Sequence, residues 1–287
     1  MRANSIAWTR LRCFPALSAF LQCFGLLGLL LLAPCTLIAV EPSFDPNVAD
    51  QLKQLNDQTI LATHVSLDSE WNEFKHDSEN AIWTLEGLWS WRVSNSQDWA
   101  IRLKLPLGYD RSDQTSDHAE VGGVGDVEIG TGTAFRLNKT WRTAGGIELH
   151  GDTASDPAFA GNVWRLKTGW GLAHDVTNWL SMSFNADYNR SVAENHNVLP
   201  QSYLELSLPA TLIFPQHWSM SAKYKTALDF ENGDRWIHTV TAGVAKRLSK
   251  VPIVISASFG KPLSSGAKKF QASLTIVYYF ERYHSQR

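Results

Sequence analysis

The chain has 287 residues, of which 44% are hydrophobic and only 19% charged, and its formal net charge is −2. A mean hydropathy of −0.19 excludes a bundle of membrane-spanning helices, and the slightly acidic balance, with no basic cluster, argues mildly against a nucleic-acid partner. The three cysteines, Cys13, Cys23 and Cys35, all lie near the N-terminus.

Arg2, Arg10 and Arg12 precede an apolar run that is densest over Phe24–Ala33. A basic start followed by an apolar run reads as a secretory signal peptide over residues 1–40, with cleavage near Ala39 or Val40. Pro34 stands where a lipoprotein box needs a small residue, which disfavours acylation at Cys35. Removing this segment takes away three arginines and no acid, leaving 23 Lys or Arg against 28 Asp or Glu. It also removes every cysteine, so an exported chain would use neither a disulfide nor a thiolate site. Residues 41–57 read as a polar periplasmic lead-in. Val48–Leu55 could form about two turns of helix, which is marginal on its own.

From Thr59 onward the pattern has a period of two. Leu180, Met182, Phe184, Ala186 and Tyr188 alternate with Ser181, Ser183, Asn185, Asp187 and Asn189. Leu204 to Phe214, Trp218 to Tyr224 and Phe270 to Phe280 repeat the alternation, although Val277 and Tyr279 break it in the last. Such alternation marks strands with unlike faces. Twelve strands are expected, at 58–67, 81–94, 97–109, 121–137, 140–150, 161–174, 177–190, 201–214, 216–229, 235–247, 251–262 and 269–281. Short and long breaks alternate between them, which predicts an up-and-down antiparallel meander. The strands exceed the usual soluble length of about 5–6 residues and reach the roughly 9–11 needed for a tilted bilayer crossing. Trp91, Trp99, Trp141, Trp179 and Trp218 flank the short breaks, and Trp83, Trp164 and Trp236 lie near the long ones. Two aromatic girdles at the membrane interfaces predict that placement. The expected fold is an all-β, closed transmembrane barrel over residues 58–287 in the outer membrane of a Gram-negative-type envelope. Closure requires the strand near Thr59–Leu67 to pair with Phe270–Phe280.

With the apolar set facing lipid, the polar set lines the lumen. Arg102, Lys104, Asp126, Glu128, Arg142, Arg165, Lys167 and Lys223 are the candidate lumen and selectivity residues. Asp126 and Glu128 are placed to pair with Arg142 or Arg102. The charges support two readings: a barrel plugged and braced by ion pairs, or a narrow water-filled passage whose charges select solutes.

Gly122–Gly130, GGVGDVEIG, is the most distinctive local stretch. No helix follows it and no Lys-Ser/Thr pair is present, so it does not read as a phosphate loop. Its G-x-G-D-x-x-x-G segment (Gly123, Gly125, Asp126, Gly130), entering a strand of an exported, cysteine-free barrel, resembles the outer-membrane family named for the meta-cleavage pathway of phenol degradation. The resemblance implies a porin-like transporter and uptake of small compounds, aromatic ones among them. Glu281–Arg287, beyond Phe280, departs from the usual aromatic C-terminus of such barrels. None of the nine histidines stands in a recognisable Ser–His motif, so no catalytic residue, cofactor or metal is expected; an outer-membrane lipid-modifying enzyme is the alternative class. The expected partners are outer-membrane lipid, a small-molecule solute and the outer-membrane assembly machinery.

Overall fold

The computed structural model describes residues 46–74, 79–111, 120–155, 163–194, 200–231, 233, 235–264 and 268–280. The expected signal peptide, most of the acid-rich Ser112–Glu120 loop and the extension after Phe280 lie outside them. Thirteen strands pair into one sheet that closes on itself. They are β1 (His64–Phe74), β2 (Glu79–Ser94), β3 (Gln97–Arg111), β4 (Glu120–Val124), β5 (Glu128–Arg136), β6 (Trp141–His150), β7 (Val163–Thr177), β8 (Leu180–Glu194), β9 (Ser202–Phe214), β10 (Trp218–Asp229), β11 (Arg235–Arg247), β12 (Ile253–Pro262) and β13 (Lys268–Tyr279). β4 and β5 both pair with β3 and form one stave interrupted at 125–127, so the barrel has twelve staves, all antiparallel. β1 closes the ring against β13, from His64↔Tyr279 to Phe74↔Lys268. Among the described residues no helix is long and apolar enough to cross a membrane; the strands cross instead.

The expected strands recur with small shifts, except at the start. β1 begins at His64, not near residue 58. The reason is local chemistry. The Asp57 carboxylate accepts both the backbone N–H and the hydroxyl of Thr59, at 2.8 and 2.6 Å, which turns the chain before it can extend. β1 itself carries only Val65, Leu67 and Trp71 as large apolar residues on its outer face, so its alternation is faint. The seventh strand also runs on to Thr177, with a register shift between Asp175 and Thr177, where a break is expected from the sequence.

All eleven tryptophans among the described residues are exposed. With Leu85, Ile101, Leu103, Ile147, Met220, Phe259, Leu274 and Ile276 they cover the outer surface. A continuous apolar belt of this kind is untenable in water and matches the hydrocarbon of a bilayer. Val93, Val176 and Val251 extend it at the short-turn end, which in such barrels faces the periplasm.

Gly132 and Gly146 lie opposite each other where β5 meets β6. A Cβ at Gly146 would stand 2.8 Å from the Thr131 carbonyl oxygen and 3.1 Å from the Gly132 Cα. Both are backbone atoms and neither can swing away. Gly146→Val is therefore expected to force the two strands apart and lower the yield of folded barrel, read as loss of the heat-modifiable band on gel electrophoresis. Gly122→Ala, with only one backbone oxygen at 3.8 Å, is the control that should fold normally.

Candidate functional site: the barrel lumen

The inward side chains follow from the register. Glu86, Lys104, Glu128, His150 and Arg165 are successive partners across β2, β3, β5, β6 and β7. In the neighbouring row Arg102, Gly130, Glu148 and Lys167 are partners in the same way. The rows interleave acids and bases, so Glu86 and Lys104, Lys104 and Glu128, and Glu148 and Lys167 oppose one another across strand pairs. Glu148 is the hub and is 3% exposed. It pairs with Arg102 and lies 3.7 Å from Lys104, 4.0 Å from Lys167 and 3.0 Å from His150. Lys104 also holds Glu128 at 2.7 Å, and Lys167 holds Asp187 at 3.5 Å. Arg165 reaches His150 and Gln201 and lies over the Tyr203 ring.

The short-turn end of the lumen is filled by the segment before β1. α1 (Pro46–Gln54) begins with a proline, whose missing N–H costs nothing there, and carries Lys53 in its last turn. Val48, Ala49 and Leu52 share one face. They bury against the inward Ile213, Ala245, Val254, Val277 and Tyr279. Nine residues would be marginal as a free helix, so the seat holds it. Tyr279 donates its hydroxyl to the Gln51 carbonyl at 2.9 Å, and Arg247 donates to the Gln51 side chain at 2.8 Å. Lys53 meets Asp175 at 2.9 Å. Arg142 bridges Asp57, at 2.9 Å, and Asp175. Burial pushes the Asp50 carboxyl up, against the pull of Lys53 and Arg142.

Above this segment lies a cavity of about 570 Å³. One side is the charged wall of β2 to β8. The other, on β10 to β13, presents Ser219, Ser221, Thr241, Ser256, Ser258 and Ser273, small hydroxyl groups that leave the space open.

Seven of the eight candidate lumen residues expected from the sequence point inward. Arg102, Lys104, Glu128, Arg165 and Lys167 join the Glu148 network, Arg142 holds the N-terminal segment, and Lys223 lines the cavity. Asp126 does not join them. It sits in the 125–127 interruption, where strand alternation does not apply, and accepts the backbone N–H groups of Thr153 and Ala154 at 2.9 and 3.0 Å. It fastens the segment after β6 into the gap in the wall. Glu128 takes Lys104 and His150 as partners, not Arg142. Glu148 is inward by the same alternation and becomes the hub only through the register, while Asp57 and Asp175 take part through the inward-folded N-terminus.

Glu128, Glu148 and His150 present ligand atoms within 4.8 Å of one another. The donor set does not fit a divalent cation. Arg102, Lys104 and Arg165 already surround it, and their charges would oppose a metal ion's.

No family model matches the sequence, and no curated protein sequence matches it. Solved structures do. An outer-membrane channel from Pseudomonas putida F1 superposes with a TM-score of 0.65 at 14% identity, covering 76% of this chain and 95% of that one. The NanC porin gives 0.50 at 12% identity, covering 75% and 99%. With the apolar belt and the closed ring, these likenesses define the class: the chain folds as an outer-membrane β-barrel.

Proposed function

We propose that the chain is an outer-membrane channel for small solutes, closed at its periplasmic mouth by the N-terminal segment. The observation that carries this is the 570 Å³ cavity inside the closed barrel, walled on one side mostly by small side chains, with Lys223 among them. A barrel braced only for rigidity has no need of a small-residue wall facing its ion pairs. The solved structures it resembles are described as a channel and a porin, which supports the reading. The resemblance of the Gly123–Gly130 segment supports small aromatic compounds as one class of solute. No chemistry is assigned to the chain.

Proteoliposome swelling tests this. Purified protein, together with a variant in which the N-terminal seat is loosened, should admit solutes of monosaccharide size or smaller. Vesicles that stay impermeable with both proteins, when both are folded and inserted, would favour a plugged structural barrel.

A further inference from the structure

Charge pairing among the residues that line the cavity is uneven. Of the four Lys or Arg side chains that line the cavity, Arg102, Lys104 and Lys167 each have a carboxylate partner. Lys223, on β10, has none within 4.0 Å among the described residues. Asp68, on β1, also lines the cavity and has no basic partner within 4.0 Å among the described residues; there its carboxylate accepts only the Thr275 hydroxyl, at 2.5 Å. Its neighbour Glu70 is engaged by Asn72 at 2.8 Å and by Lys268 at 3.7 Å. Glu205, on β9 opposite Ala227, is taken by Lys225 at 2.5 Å.

The two lone charges face one another. Asp68 pairs with Thr275, and the same hydrogen-bonded row continues through Ser256 and Ala245 to Ser219 on β10. Rows of a closed barrel run obliquely to its axis, because closure requires a staggered register. That stagger brings Lys223, one turn of the pleat beyond Ser221, to the height of Asp68. Asp68 and Glu70 are both among the carboxylates that act electrostatically on Lys223. Between the two edges the wall carries hydroxyls and other small uncharged side chains, with Gln271. A confined charge without a partner is costly, and here one of each sign is left open to a single cavity.

We propose that this part of the lumen binds a small zwitterion, an amino-acid-like solute whose ammonium group meets Asp68 and whose carboxylate meets Lys223, while the serine and threonine hydroxyls between them bind its polar body. A simple anion would satisfy Lys223 but meet Asp68 and Glu70; a simple cation would meet the reverse. Only a molecule carrying both charges completes both pairs. The inference rests on the channel reading and gives it a substrate class.

The test is calorimetric titration of the full chain in detergent with a ladder of ω-amino acids from glycine to 6-aminohexanoate. Butylamine, butyrate and glycerol are the singly charged and neutral comparisons. One length of the ladder should bind, and more tightly than any comparison. Asp68→Asn and Lys223→Gln should each weaken it by about tenfold or more, the loss of one charge-assisted pair. Their folding is checked by heat-modifiability, and Lys223→Arg should retain binding. The inference is overturned if no zwitterion binds, or if it binds equally to wild type and both folded variants. Swelling with glycerol separates the two readings: uptake without zwitterion binding leaves the channel standing and removes only its substrate class.

Discussion

Replacing Arg142 with alanine is expected to unseat the N-terminal segment and raise conductance. Among the described residues, Arg142 alone joins Asp57, on that segment, to Asp175 on the wall. Its Nε also reaches the Thr59 hydroxyl at 3.3 Å. Its side chain is 12% exposed, and those of Asp57 and Asp175 are 5% and 17% exposed. Removing it leaves a buried carboxylate without its partner, which costs about 3 kcal/mol or more. That corresponds to a shift of roughly 100-fold in the balance between seated and released segment. The apolar contacts of Val48, Ala49 and Leu52 remain, so release is partial and reversible. In planar bilayers the variant should show larger or more frequent openings than the wild type. Arg142→Lys keeps the charge but cannot span two carboxylates as a planar fork does, and should fall between the two.

Glu148→Gln should have the largest effect on stability. Glu148 is the common partner of Arg102, Lys104, Lys167 and His150. The amide is nearly isosteric, so packing survives while the charge is lost. Several cations then face one another around a site that is 3% exposed. Breaking a buried pair from one side costs about 3–5 kcal/mol. The folded form should persist to a markedly lower temperature on heat-modifiability gels. Any ions that pass should shift toward anions, because the charged wall becomes more positive. Adding Arg102→Leu to Glu148→Gln should recover part of the loss, since it removes one of the stranded cations.

The barrel was legible because lipid and lumen impose opposite chemistry on alternate residues. Leu180 to Asn189 reads as β8 without any structural knowledge, and the tryptophans at strand ends mark the interfaces. Less legible were features that depend on contacts between distant segments. Val48, Ala49 and Leu52 look like a short, weak helix, because the seat that stabilises them comes from β9, β11, β12 and β13. One signal was present: Val277 and Tyr279 break the alternation of the last strand on its lumen side. Apolar side chains at inward positions need something to bury them, and α1 does so. Asp126 failed as a lumen residue because alternation is a property of continuous strand, and the chain leaves the strand at 125–127. The pairing partners of Glu128 required the register, which no local pattern contains.

If residues 46–60 close the lumen from inside, a reversible cross-link that pins them there should hold conductance down. A Cβ at Gly171 would lie 3.5 Å from the Thr59 Cγ2 and 2.9 Å from the Asn185 Oδ1, so cysteines at the two positions are close neighbours once the Asn185 amide swings aside, and formation of the cross-link is checked by mass before conductance is read. The chain's own cysteines, Cys13, Cys23 and Cys35, are replaced by serine so that they do not compete. With the Thr59→Cys/Gly171→Cys disulfide formed, planar-bilayer conductance should be held at its lowest level, and adding a reductant should raise it several-fold, reversibly on reoxidation. The same conductance in the oxidised and reduced protein, with cross-linking verified by mass, would contradict the account.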